Sequence, residues 1–273
     1  MEGFKHYRIG SFARYLCVTT SFLKHYEDEG LISVVQQDNG YRYYPFPEAA
    51  HILEYMRLHS YGVPLKEMRT AVTGPTETAF ENIDRHADEL QKKADRLQAI
   101  VDEHRRFRKW YEDMAGDASR WEVKKIDPVY FLPHSEGQEF LDDERIYEIF
   151  PAWSDSMPLV KTGLYVKKNP KTPGTNDIFW GLCVTESNLR KAEIPVNDAV
   201  WKLPSGPAFL YHFCDLFRPT CMKDVRVNRH PAFEKMRELG FRASGDALIA
   251  VDMKLEKDGV KRGFGRVVIP MAE

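Results

Sequence analysis

The sequence predicts an α+β chain in three parts: a small, mostly helical winged helix-turn-helix, one long coiled-coil helix, and a C-terminal domain in which the order strand-helix-strand-strand occurs twice. Three observations predict it. Asn39-Gly40 stands between two short runs, and Asn-Gly admits the positive φ that a type I′ hairpin turn needs at both central positions. From Thr76 onward no proline or glycine occurs until Gly116, and apolar residues recur every seven positions. After Trp121 apolar residues alternate with period two, in runs broken by segments such as Asn169-Pro170-Lys171-Thr172-Pro173-Gly174.

The N-terminal elements follow from local chemistry. Ile9 to Tyr15 read as a short helix and Leu16-Cys17-Val18-Thr19 as a break. Thr19, Thr20 or Ser21 can cap a second helix through Phe22, Leu23, Tyr26 and Glu27-Asp28-Glu29, and Gly30 ends it. Ile32-Ser33-Val34-Val35 and Tyr41-Arg42-Tyr43-Tyr44 form the hairpin strands. Two short helices, a tight turn and a hairpin make a winged helix-turn-helix. Pro45 to Tyr61 and Leu65 to Val72 read as two further helices, with a turn at Gly62 between them.

Tyr7-Arg8-Ile9-Gly10, Val18-Thr19, Leu23-Lys24-His25-Tyr26-Glu27, Gly30-Leu31-Ile32 and Asn39-Gly40-Tyr41-Arg42-Tyr43-Tyr44 resemble the DNA-binding domain of the MerR family of transcription regulators. That resemblance covers roughly residues 5 to 73. It departs where the family usually has arginine and this chain has Lys24, which keeps the charge and loses the bidentate geometry. The second helix enters a major groove by its first turns. The expected DNA contacts are therefore Thr19, Thr20, Ser21, Lys24, His25 and Tyr26 on that helix, Arg14 on the first, Tyr41, Arg42 and Tyr43 on the wing, and Arg57 beyond it. Guanidinium and tyrosine hydroxyl groups serve such a site by holding phosphates.

Ile83, Leu90, Leu97, His104 and Tyr111 recur every seven residues, with Ala87, Ala94, Val101 and Arg108 between them. A 3.5-residue period predicts a coiled-coil seam. The resemblance implies an antiparallel homodimer that faces two half-sites of a palindromic promoter operator in double-stranded DNA. It further implies that a small-molecule effector sets the shape of the bound promoter spacer, so that RNA polymerase is affected only through the DNA. The expected boundaries are 1–75 for the DNA-binding domain, 76–118 for the dimerisation helix and 119–273 for the remainder.

In that remainder the strands are expected at 122–132, 162–167, 177–185, 199–203, 208–214, 247–255 and 264–270, with helices at 142–152 and 231–239. The duplicated order resembles the GyrI-like effector-binding domain. Supporting residues are Leu203-Pro204-Ser205-Gly206-Pro207, Phe233-Glu234-Lys235-Met236, Ser244-Gly245-Asp246-Ala247-Leu248-Ile249 and Val267-Val268-Ile269-Pro270-Met271. The resemblance implies a small hydrophobic, in some cases cationic, effector held between aromatic faces with an acid beneath it, since ring faces attract cations. The aromatic residues chosen are Tyr147, Trp153, Trp180, Tyr211 and Phe213, and the acid is Asp246, ahead of Glu148, Asp177 and Asp252.

Bulk composition bounds the reading. The chain has 273 residues, 43% of them hydrophobic and 29% charged, with a net charge of −2. Residues 1–75 carry eight basic and eight acidic side chains, a balance unlike the basic surface of a nonspecific DNA binder. No run of eighteen apolar residues predicts a membrane span, no signal core opens the chain, and a cytoplasmic protein is expected. Cys17, Cys183, Cys214 and Cys221 lack metal-ligand spacing, so neither a metal nor a cofactor is expected. No Gly-x-Ser-x-Gly, His-Glu-x-x-His or phosphate loop points to an enzyme; the other function classes considered are a hydrolase of the GyrI-like type and a repressor that binds a protein partner.

Overall fold

The computed structural model describes residues 4–36, 40–114, 120–216, 221–257 and 259–272. The chain divides into two compact units, Met1–Asp95 and Arg96–Glu273.

In the first unit β1 (His6–Arg8) leads into α1 (Ile9–Leu16) and α2 (Thr20–Asp28), followed by β2 (Val35–Gln36), β3 (Arg42–Pro45), α3 (Glu48–Ser60) and α4 (Leu65–Thr73). Helix α5 (Thr76–Asp113) begins here and continues into the second unit. The expected hairpin is shifted. Its register closes at Gln36↔Arg42, earlier than a two-residue turn on Asn39-Gly40 requires, and Asn39 lies outside the described residues. Ile32 belongs to the core instead, at 5% exposure. Strand β1 pairs with β3; its three residues carry no periodic signal of their own. The core gathers Phe12, Leu23, Tyr26, Tyr44, Ile52 and Met68, with the Phe12 and Tyr44 rings stacked at 5.2 Å.

The second unit joins the rest of α5 to a nine-stranded antiparallel sheet among the described residues. Its elements are β4 (Trp121–Ile126), β5 (Val129–Glu136), β6 (Glu139–Phe140), α6 (Glu144–Ser154), β7 (Lys161–Lys168), β8 (Asn176–Thr185), α7 (Glu186–Lys191), β9 (Trp201–Leu203), β10 (Gly206–Leu216), α8 (Cys221–Arg226), α9 (Pro231–Glu238), β11 (Ala247–Lys257) and β12 (Val260–Pro270). The single strand expected over 122–132 is two strands. Pro128 has no N–H for a ladder, and β4 pairs with β10 while β5 pairs with β8.

The order β10-β12-β11-β7-β8-β5 displays the duplication. β7 and β11 pair at the centre, and each half repeats strand, helix, strand, strand as β5-α6-β7-β8 and β10-α9-β11-β12. Alternation along the strands sorts the core. Phe209, Tyr211 and Phe213 pack with Val225, Ala232 and Met236 of α8 and α9, and Leu132 and Leu182 pack with Ile146, Ile149 and Trp153 of α6. Their neighbours Phe131, Leu210, Leu248, Ala250 and Val268 form a separate cluster on the other face.

Where β12 passes β11, space is tight. A Cβ on Gly265 would lie 2.1 Å from the Ala250 carbonyl oxygen. Gly265→Ala is expected to destabilise the protein by about 1–3 kcal/mol or more. An unaltered denaturation midpoint would show that the two strands separate there at no cost.

Helix α5 carries two different stripes. On one side Ala99 and Glu103 are buried, with Phe107 and Trp110 half-buried beside them, and Met114 just past the helix is buried too. On another side Leu90, Leu97, Val101 and Tyr111 are exposed, as are Ala87, Ala94, His104 and Arg108. Phe80, one heptad step before Ala87, is also exposed. Most of the heptad residues read from the sequence are thus uncovered in a single chain. Tyr111 is partly occupied, meeting the Phe264 ring edge-on at 5.8 Å.

Candidate nucleic-acid interface and ligand cavity

Helix α2 starts where it does because Thr19 caps it: the hydroxyl oxygen accepts from the Phe22 N–H at 3.0 Å. Cys17, left-handed at φ 55°, makes the turn from α1. Leu23 and Tyr26 anchor α2 in the core, and this orients Thr19, Thr20, Ser21, Lys24 and His25 outward. Tyr26 is the correction among the expected contacts. It is 4% exposed, stacks on Phe22 at 4.1 Å and meets Tyr55, so its ring supports the helix from beneath.

The wing is tied to α2 through one carboxylate. Arg42 donates to Glu27 at 3.4 Å, and the Tyr44 hydroxyl donates to the same oxygen at 3.2 Å. Burial, then the Glu27 charge, push the Tyr44 phenol up to about 12, so it remains a donor. Tyr44 is buried while Arg42 and Tyr41 face outward and Tyr43 lies between. Arg14 is exposed above the Tyr15 ring, and Arg57 is held by Glu54 at 2.8 Å. One cation was not foreseen as a contact: Arg8 lies over the Tyr41 ring at 4.9 Å, which brings β1 to the wing. Its only sequence signal was its place in the Tyr7-Arg8-Ile9-Gly10 motif.

In the second unit a cavity of about 460 Å³ opens between α5 and the sheet face opposite α6, α8 and α9. Glu103, Arg106, Phe107 and Trp110 of α5 form one wall, and Leu210, Leu248, Ala250 and Val268 form the facing wall. Charges cross the space between them. Lys161 bridges Glu103 at 2.7 Å and Asp252, and Arg266 reaches Asp252 at 3.2 Å. Burial alone pushes both acids up, but Arg266 and Lys161 overcome it at Asp252, as Lys161 and Arg106 do at Glu103. Both carboxyls therefore stay below the ordinary range. Asp252 Oδ2 is buried without a hydrogen-bond partner. Burial pushes the Cys183 thiol, in the same lining, up to about 12, so it adds no charge.

Trp110 is positioned by a histidine. Its indole N–H donates to His212 Nδ1 at 2.8 Å, which places the imidazole proton on Nε2, facing Glu122 at 3.2 Å. Burial holds His212 below its usual value, in keeping with this neutral form.

None of the residues expected to bind an effector lines this cavity. Trp153 is fully buried on the inner side of α6, where its N–H donates to the Pro195 carbonyl at 2.9 Å. Tyr211 and Phe213 belong to the core beneath α8 and α9. Tyr147 and Trp180 do come together, both against the His134 ring at 5.9 and 5.2 Å. Asp246 accepts from the Lys168 N–H at 3.2 Å beside Tyr165. The expected acid–aromatic site is thus split among separate places, and of the four candidate acids only Asp252 lines the cavity.

The first unit, with an outward-facing second helix and a wing clamped to it, defines a winged helix-turn-helix domain of the nucleic-acid-binding type. Residues 7–74 match the family described as MerR HTH family regulatory protein, and the chain carries a MerR-type helix-turn-helix domain at its N-terminus. The chain is 29% identical over 98 residues to the multidrug-efflux transporter 2 regulator of Bacillus subtilis (strain 168), a match covering 35% of this chain and 36% of that protein. Among solved structures it is similar to EcmrR in a cryo-EM EcmrR-DNA complex, at 16% identity and TM-score 0.36 over 98% of this chain and 100% of that one. It is also similar to a MerR-family transcriptional regulator from Bacillus cereus, at 15% identity and TM-score 0.35 over 41% and 85%. Among the described residues no helix is long and apolar enough to cross a membrane.

Proposed function

We propose that this chain is a dimeric, ligand-responsive, sequence-specific transcription regulator of the cytoplasm, and not an enzyme. Two copies pair through the exposed stripe of α5 and set two winged heads on a palindromic operator. A small hydrophobic effector in the cavity of the second unit then changes how the bound promoter spacer is distorted, and RNA polymerase responds through the DNA. The observation that carries this reading is the MerR-type match over residues 7–74, whose α2 presents Thr20, Ser21, Lys24 and His25 outward beside the Arg42 wing. The multidrug-efflux regulator of Bacillus subtilis supports a small-molecule effector by its name. The organisation proposed is 1–75 for reading DNA, 76–118 for pairing and 119–273, GyrI-like, for sensing.

The proposed contacts are Arg14, Thr19, Thr20, Ser21, Lys24, His25, Tyr41, Arg42, Tyr43 and Arg57, with Arg8 added. Sequencing DNA that co-purifies with the protein tests the reading: a palindrome inside a stretched promoter spacer is expected, and unselected DNA would refute it. Arg42→Ala is expected to lower operator affinity at least tenfold, since a charge-assisted phosphate contact is worth roughly 1.5–3 kcal/mol. The dimer should persist, because Arg42 lies outside the α5 stripe. An unchanged gel shift would remove the wing from the interface.

A further inference from the structure

We propose that the cavity selects an apolar molecule bearing an anionic group, a carboxylate for instance, whose charge is taken by Arg266; this rests on the effector reading above. The lining carries five cations, Arg106, Lys124, Lys125, Lys161 and Arg266, against three acids, Glu103, Asp127 and Asp252. Glu122, outside the lining, holds Lys124 at 2.8 Å, and the balance remains positive when it is counted.

Accessibility sharpens this balance. The two acids inside are committed to cations and nearly closed off, with side chains 10% accessible at Glu103 and 4% at Asp252. Arg266 is packed among protein groups yet keeps 35% of its side-chain surface accessible. It is one of the residues that line the cavity. Its guanidinium carries five N–H donors, and the Asp252 bond accounts for one of them.

A ligand cation entering here loses its hydration and meets Arg266 and Lys161, while Glu103 and Asp252 are already paired with cations. The unpartnered Asp252 Oδ2 is closed off and Asp127 is exposed, so that entry is costly. An anion instead gains charge-assisted hydrogen bonds from a pre-placed fork. Its apolar body has Leu210, Leu248 and Val268 on one side and the stacked Phe107–Trp110 pair on the other. The acid–aromatic cage expected from the sequence would select the opposite charge.

Three probes of one shape test the charge: 2-naphthoate, neutral 2-naphthamide and 2-naphthylmethylammonium, titrated calorimetrically into the full chain. The naphthoate is expected to bind at least tenfold more tightly than the ammonium. Arg266→Met should abolish that preference while leaving the amide unaffected. Lys125→Glu, at an exposed site that does not endanger folding, should weaken the naphthoate severalfold. Equal or tighter binding of the ammonium, no binding of any probe, or an Arg266→Met protein that keeps the preference would each overturn the proposal. Parallel gel shifts separate the two ideas. Naphthoate that binds without altering the operator complex defeats the effector reading alone, whereas an ammonium that binds and alters it defeats the charge assignment alone.

Discussion

Leu97→Glu is expected to yield a monomer that no longer holds its operator. Leu97 is 64% exposed on α5, with Leu90 at 40% and Val101 at 42% on the same heptad stripe. Burying one leucine contributes roughly 1.5–3 kcal/mol. A twofold interface counts each change twice, so the loss is roughly 3–6 kcal/mol, and the introduced carboxylates add repulsion. The dimer dissociation constant should rise about 10²–10⁴-fold. Operator affinity should fall over a similar range, because two linked heads exceed one by about that factor. The fold should be untouched, since the side chain is mostly in solvent, and an unchanged circular dichroism spectrum checks it. Sedimentation equilibrium decides the matter: a persistent dimer that still shifts the operator would mean that another surface pairs the subunits.

The stripe was legible in the sequence because a seven-residue repeat is a local pattern that burial in one chain does not alter. The same holds for the start and end of α2. Thr19 caps by a bond to a residue three positions on, and Gly30 turns left-handed at φ 68° just past the helix. The second stripe of α5 was not legible. It sets apolar Ala99 beside Glu103, whose burial makes sense only once Lys161 stands opposite. Strand β1 was missed for a related reason, since its three residues acquire meaning by pairing with β3, far along the chain.

The lining of the cavity was not legible in the sequence, for a definite cause. Alternation says that Tyr211 and Leu210 face opposite ways, but not which face the helices cover. Aromatic content drew the choice to Tyr211 and Phe213, which lie in the face that α8 and α9 bury, whereas Leu210 lines the cavity. Likewise Asp246 and Asp252 look equivalent as isolated acids. Only the pairing of β11 with β7 and β12 places Asp252 near Lys161, 91 residues away, and Arg266.

Asp252→Ala is therefore expected to be among the most damaging single changes in the second unit. It removes the acid that Lys161 and Arg266 share; Lys161 retains Glu103, and Arg266 loses its bonded carboxylate and keeps only the field of Glu103. Removing one member of a buried ion pair costs about 3–5 kcal/mol, or on the order of 10 °C in melting temperature for a unit of this size. The pH dependence gives a separate signature. A carboxyl held below its unfolded value, about 3.9 for aspartate, stabilises the fold fully above that pH. The contribution is withdrawn as pH falls through the folded value. Wild-type protein should then lose stability steeply below about pH 4, with Glu103 contributing in the same direction. Asp252→Ala should show a shallower acid limb from a lower plateau, in urea unfolding followed from pH 3 to 7. Double variants with Arg266→Met divide the cost between orphaned charge and lost packing: if the arginine is the burden, the pair recovers much of the loss. If Asp252→Ala instead melts like wild type with the same acid limb, the charges across the cavity are ornamental to the fold, and Arg266 is free to serve a ligand alone.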